Sequence, residues 1–392
     1  MKYLSLDVLE DFECIGSACP NTCCAGWSII VDEDSVNYYQ SIEEEFGEKL
    51  RNGLTKNNNN TFIKLLPDMR CPFLTDENLC EVYMHLGKEH MCHTCTYYPR
   101  ASQLYGDILF QGYTISCPEV ARKILSYENQ LMFHFGEAAP LPDINNEKIQ
   151  NETDWERFNT LIKGFTTSVD IIQNQSFSLA TRLQLMLLLN DSLQNHLKND
   201  KDCLAIFDLF SDIDYLNKMN QSLNKSYTAA LSIHTKMQFF TYFLNHIQDF
   251  KNINHIEQML PESSEMLSKY NAPTNITHLQ SCFETLSKTD SVKYENYAVY
   301  YLWRYYMKSY KKHNPKKYIT IFCYLYALHC CFGAAKMLKN QSLLTLEQQI
   351  DIFSHLARMF EHSANDRKLN LLYTLEKNNG MDEMTFLLSL LA

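Results

Sequence analysis

Eleven residues from Cys14 to Cys24, "CIGSACPNTCC", hold four cysteines, and "CPFLTDENLCEVYMHLGKEHMCHTC", Cys71 to Cys95, holds four more with three histidines. With Cys117, nine of the fourteen cysteines fall in the first 117 residues, and five are scattered through the rest. Thiols packed this densely crosslink, hold a metal or react. The first residues, MKYLSLDVLEDFEC, are broken by Asp7, Glu10, Asp11 and Glu13, so they lack the apolar run of a secretory leader. The expectation is therefore a cytoplasmic protein, where structural disulfides are rare and clustered thiols bind metal or do redox chemistry.

Zinc and iron–sulfur clusters both need thiolates brought together in space. A structural zinc contributes roughly 10–16 kcal/mol in small peptides, enough to organise a head built largely from loops. Cys92-x2-Cys95 suits either metal, because a two-residue gap lets both thiolates face one centre. The spacing Cys14-x4-Cys19-x3-Cys23 is less typical of zinc. Neighbouring side chains diverge, so Cys23 and Cys24 are not expected to hold the same ion. Three cysteines precede proline (Cys19, Cys71, Cys117), a step also found in ferredoxin-type runs. Nine candidates exceed one four-ligand site: either there are two sites, or some thiols are buried or supporting groups. His85, His90 and His93 are near enough in sequence to substitute as ligands. Cys323 and Cys330, seven apart on one helical face beside Cys331, read as core thiols.

A composition 45% apolar and 21% charged is that of a globular chain. Residues 1–120 carry 18 acidic against 8 basic side chains, so nearly all of the net charge of −11 sits in the head. Such a surface repels phosphate backbones, which argues against nucleic acid, and attracts a lysine-bearing protein. "WSIIV" (Trp27–Val31) reads as a short strand, with a helix from Asp32 toward Leu50. Arg51–Asn60 reads as a polar loop. "CPFLTDENLCEVY" and Gln103–Ile115 read as hairpins, and Pro118 opens a helix. Beyond a junction at 137–152, helical periodicity marks Trp155–Val169, Leu179–His196, Tyr227–Phe250, Tyr294–His313, Tyr318–Leu338, Thr345–His362 and Asp382–Leu391. The expected fold is mainly α: a small cysteine-rich α+β domain (1–136) with short hairpins around a metal centre, then an all-helical domain (153–392). The uncharged run Tyr318–Ala335 approaches the length of a membrane span, but its tyrosines, cysteines and His329 mark a buried core helix instead.

"FECIGSACPNTCCAGW" and the block from Cys71 to Tyr98-Pro99-Arg100 resemble the signature of the flagellin lysine-N-methylase family, part of a wider group of zinc- or iron-chelating cysteine-cluster domains. The resemblance covers about Phe12 to Arg100. It implies a cytoplasmic bacterial enzyme that methylates lysines of flagellin from S-adenosylmethionine, with a [4Fe–4S] cluster in the head. The ligand pool it implies is Cys14, Cys19, Cys23, Cys24, Cys71, Cys80, Cys92 and Cys95, with Cys117 added by position. Zinc remains the alternative metal.

The residues alone do not spell out a methyltransferase. No GxGxxG loop and no alternating βα pattern offers a doubly wound cofactor fold, and no CxxxCxxC triplet of the radical type occurs, since Cys24 directly follows Cys23. Tyr97, Tyr98 and Arg100 are the candidate cofactor contacts, Arg100 as a fork for a carboxylate, although a salt bridge to the acidic head is the stronger reading of Arg100. Tyr294, Tyr297, Tyr301 and Tyr305 share one helical face, suited to cation–π contact with a sulfonium or to core packing. No catalytic base is assigned. The competing readings are a non-catalytic zinc-stapled module for protein binding, and an iron–sulfur electron-transfer protein.

Overall fold

The computed structural model describes residues 2–27, 29–57, 60–137, 146–147, 149, 151–199, 202–250, 256–270, 276–362, 366–375 and 381–392. The fold is mainly α, with a small strand-bearing region at the amino-terminal end. Its strands are β1 (Lys2–Leu6), β2 (Ile30–Val31), β3 (Leu54–Asn57), β4 (Asn60–Ile63), β5 (Gln103–Tyr105), β6 (Ile108–Phe110), β7 (Phe133–Glu137) and β8 (Asn146–Glu147). They form a mixed sheet of order β7-β1-β6-β5-β8 and an antiparallel sheet of order β2-β4-β3.

Two stretches of the head fold differently from their sequence reading. Arg51–Asn60, expected as a loop, contributes β3 and the first residue of β4, paired from Leu54↔Ile63 to Asn57↔Asn60. The β-branched Thr55, Thr61 and Ile63 override the polar asparagines, and Ile63 docks its N–H on Ile29 O at 3.0 Å. The expected hairpin at Cys71–Tyr83 is reduced to one bridge, Leu74↔Cys80, because Cys80 starts the helix Glu81–Leu86 that buries Val82. The helix from Glu33 breaks after Ser41 and restarts at Glu45. Here the chain folds back so closely that a Cβ on Gly47 would collide with Ile42 O. The Gln103–Tyr105/Ile108–Phe110 hairpin and the Pro118–Leu125 helix form as read.

All seven expected helices are present, several with shifted ends, including Glu152–Gln173, Leu179–Lys198, Ser291–Tyr305, Pro315–Asn340 and Leu346–Glu361. Pro315–Asn340 is long and apolar enough to cross a membrane, yet 94% of its apolar window is buried inside the protein. Its Cys323, Cys330 and Cys331 are core thiols. The tyrosine face of Ser291–Tyr305 is buried too, with Tyr301 packed on Tyr305 at 4.7 Å and Tyr297 on Phe353 at 4.9 Å. Of the expected junction 137–152, residues 138–145, 148 and 150 lie outside the described residues, while Asn146–Glu147 pairs with β5.

Two apolar cores organise these elements. The larger runs through the mixed sheet and the helices. The smaller has its buried members between Ile29 and Cys92, with Cys24, Trp27 and Cys95 packed against it, and centres on Ile29, Val31, Tyr39, Leu50, Phe73 and Val82, with Cys71 and Cys92 as members. So few buried side chains give little hydrophobic stabilisation, the situation in which small domains rely on a metal or crosslinks.

Candidate metal centre and the relay behind it

None of the fourteen cysteines is paired in a disulfide. Six of the nine in the head line one apolar cavity of about 60 Å³: Cys23, Cys24, Cys71, Cys80, Cys92 and Cys95, with Trp27, Tyr39, Phe73 and Tyr98 among its walls. They come from three segments that the backbone ties together. Cys71 N–H donates to Cys24 O at 2.8 Å, and Gly26 N–H to Met69 O at 3.0 Å. Cys80 is positioned by its bridge to Leu74 and by Glu81 N–H on Phe73 O at 2.8 Å. The turn carrying Cys92 and Cys95 is clamped by Asp32, which caps the Glu33–Ser41 helix with one oxygen and accepts from His93 N–H at 2.8 Å with the other. Thr94 Oγ1 donates to Ile30 O and Tyr39 OH to His90 O.

The electrostatics suit anionic sulfur at selected positions. The hydrogen bond from the Cys23 thiol, helped by Thr22 and Arg70, holds Cys24 down to about 7. A bond from Cys95 lowers Cys92 in the same way. Burial pushes Cys71 up to about 12, the cost of an apolar wall around a free thiol. A bound metal would offset that cost for whichever thiols ligate it.

Cys14, Cys19 and Cys117 do not line this cavity, although Cys14 and Cys117 lie close enough to act on the Cys23 thiol. Cys14 is exposed, Cys19 Sγ donates to its neighbour Asn21 O at 3.4 Å, and Cys117 is buried at the start of the Pro118–Leu125 helix. Arg358 links the Cys19 loop to Cys117 by bonding both Asn21 O and Ser116 O. The histidines also lie off the cavity: His85 stacks on Phe46 and His90 on Tyr38, and His93 meets Tyr97 edge-on. The donor set at the cavity is therefore all thiol, which selects iron–sulfur chemistry or a zinc held by four cysteines.

Behind the wall formed by Trp27 and Tyr98 runs a buried polar relay that no local spacing announces. Tyr98 OH and His362 Nε2 both meet Ser116 Oγ, at 3.1 and 2.7 Å. Ser116 Oγ meets Thr114 Oγ1 at 2.9 Å, and Thr114 Oγ1 donates to Glu361 Oε2 at 2.5 Å. Burial raises the Glu361 carboxyl against the opposing pull of Arg304. Tyr300 OH accepts from Ile115 N–H and donates to Tyr113 O, fixing the same strand segment. Of the other sequence candidates, Tyr97 is half-buried, and Arg100 is exposed with its guanidinium 5.6 Å from the Tyr113 ring.

Fold and cavity define a helical protein carrying an all-thiol metal-site candidate on a loop-rich head. The FliB lysine N-methylase C-terminal domain matches residues 166–390, more than half of the chain, and the chain belongs to this family. That match falls on the helical region, where the sequence reading found no signature. Flagellar biosynthetic protein FliU of Salmonella muenchen is 34% identical over 121 residues, covering 29% of this chain and 72% of FliU. A lysine-N-methylase of Salmonella typhimurium is 34% identical over 121 residues, covering 29% of this chain and 30% of that protein. No solved structure matches the chain.

Proposed function

We propose that this chain is a protein-lysine N-methyltransferase of the bacterial cytoplasm that uses S-adenosylmethionine, acts on flagellin, and carries a [4Fe–4S] cluster in the cysteine cavity. One observation carries the metal centre: six thiols from three separated segments line a single apolar cavity. Family membership carries the methylase activity. Four of Cys23, Cys24, Cys71, Cys80, Cys92 and Cys95 would hold the cluster, which would organise the small core around Phe73 and Tyr39. A lone zinc draws its sulfurs to about 3.8 Å from one another, given a Zn–S bond near 2.3 Å. The six thiols ring one cavity, a donor set that serves a cluster or a four-cysteine zinc, and the preference for the cluster rests on the family resemblance.

S-adenosylmethionine supplies an electrophilic methyl on a sulfonium. The protein must present the target lysine as a neutral amine, and removing its proton at pH 7 costs about 4.6 kcal/mol from a pKa near 10.4. An acidic head gathers lysines but stabilises their ammonium form, so the amine must pass into an aromatic, water-poor interior to lose the proton. The tyrosine-rich elements behind the head provide that interior.

The test is protein purified without oxygen, analysed for iron, sulfide and zinc, then incubated with flagellin and S-adenosylmethionine. Methyl mass on flagellin lysines and near-stoichiometric iron and sulfide are expected. Colourless, zinc-loaded protein that transfers nothing would turn the reading to a binding module.

A further inference from the structure

Beyond the relay, β5 and the 3-10 segment Tyr306–Lys311 flank a polar cavity of about 330 Å³. A void of about 20 Å³ adjoins it, shares Tyr105 and Lys308 as walls, and reaches Arg304. The larger space falls within the range of small-molecule sites. Its charges are nearly all matched. Lys308 bonds both oxygens of Asp366 at 2.8 Å, and Lys311 meets Glu147 at 2.7 Å. Arg304 has no direct partner at ion-pair distance among the described residues: its Nε is buried without a hydrogen bond, and the carboxyls of Glu361 and Asp366 act on it only at longer range. Its guanidinium lies 5.0 Å from the Tyr305 ring. A Cβ on Gly112 would collide with Ala101 O at 2.5 Å, so glycine permits the close backbone approach beside Arg304, whose Cδ would lie at an ordinary 3.5 Å. Arg182 Nε is likewise unpartnered but belongs to an ion pair with Glu295, whereas Arg304 lines the small void, where an anionic ligand would supply the acceptor.

We propose that this cavity binds the methyl donor, with Arg304 taking the α-carboxylate of S-adenosylmethionine as a planar fork. The inference rests on the reading of the chain as an S-adenosylmethionine-dependent methylase. A guanidinium matches a carboxylate bidentately, which a lysine cannot do. Asp366 and Glu147 supply acceptors for the α-ammonium or ribose hydroxyls. Tyr105 and Tyr310, whose rings meet at 6.0 Å, offer faces to the sulfonium. Arg100, the sequence candidate for the carboxylate, is exposed on the neighbouring strand segment. The relay from the Tyr98 wall of the cysteine cavity ends at Glu361, whose carboxyl acts on Arg304 from beyond hydrogen-bond range.

The experiment measures binding of S-adenosylmethionine and of its decarboxylated analogue by calorimetry to anaerobically purified protein, unsubstituted, Arg304→Met and Arg100→Met. The unsubstituted protein should prefer the carboxylate-bearing ligand by about tenfold to a hundredfold, as charge-assisted hydrogen bonds warrant. R304M should lose that preference, and R100M should keep it. Retained discrimination in folded R304M, or its loss in R100M alone, overturns this site and leaves the methylase reading standing. Failure of the unsubstituted protein to bind either ligand removes both. Should R304M not fold, photolabelling of unsubstituted protein with 8-azido-S-adenosylmethionine decides. Label within Gln103–Tyr105 or Met307–Tyr318 supports the site, and label confined to other peptides overturns it.

Discussion

Thr114 Oγ1 donates to Glu361 Oε2 at 2.5 Å, across 247 residues of chain. This contact joins the segment leaving the mixed sheet to the end of the Leu346–Glu361 helix. It is also the middle of the relay from the wall of the cysteine cavity toward Arg304. A hydroxyl at position 114 thus supports a carboxyl that burial has already pushed toward its neutral form. Thr114→Val keeps the shape and removes the donor. A loss of about 1–3 kcal/mol in urea unfolding is expected, from the desolvated carboxyl left short of a partner. An unchanged midpoint would mean that the contact contributes nothing.

The cavity cysteines and the core cysteines should separate by metal content. On the proposed cluster, Cys24→Ala and Cys71→Ala should lose most of the iron and visible absorption that the unsubstituted protein would carry. Cys323→Ala, buried in the Pro315–Asn340 helix, should keep both and lose only about 1 kcal/mol to a small void. Equal iron in all three variants, by elemental analysis, would break the assignment.

Stripping the proposed metal should loosen one core and spare the other. Hydrogen exchange within Ile29–Cys95 is expected to quicken by orders of magnitude, because only ten buried residues form the core there. Protection in Pro315–Asn340 should persist. Mass-resolved exchange before and after chelation reads both regions in one sample.

Arg182 and Glu295 form an ion pair at 2.5 Å with almost no solvent contact, and Arg182 also bonds Ile172 O. Arg182→Met leaves Glu295 charged and buried. The expected cost is about 3–5 kcal/mol in guanidinium unfolding, with Arg182→Met/Glu295→Leu recovering much of it. A single variant as stable as the parent would contradict the role of the pair.

His329 is stacked on Phe353 at 4.0 Å, and burial holds its pKa down to about 3. The folded protein therefore keeps this ring neutral while the unfolded chain takes up a proton near pH 6.5. Below that pH the unfolded state binds more protons, so stability falls as pH drops from about 6.5 toward 3. By pH 5 the loss relative to pH 8 should reach about 2 kcal/mol. His329→Phe should flatten that part of the profile. An identical slope in both proteins would show that other groups set it.

Periodicity and punctuation carried the local structure. Apolar spacing at 3.6 residues marks helices such as Leu179–Lys198 and Pro315–Asn340, because burying one face or all faces is a local property of the chain. Pro118 and Gly106 punctuate a helix and a hairpin for equally local reasons. The β3–β4 hairpin escaped because four asparagines hid the β-branched alternation around them. Cys80 escaped because a cysteine that begins a helix resembles one on a strand.

The amino-acid order alone determined a thiol-rich, acidic head followed by helices, since residue type and spacing decide what each segment can bury and ligate. Which six thiols face one cavity was left to tertiary structure, as Cys24, Cys71 and Cys80 meet only through backbone bonds between distant segments. Arg304, Glu361 and Thr114 carry no mutual spacing at all; their shared environment exists because the sheet and the helices pack on one core. Local rules operate over a few residues, whereas a site belongs to surfaces that only the packed chain brings together.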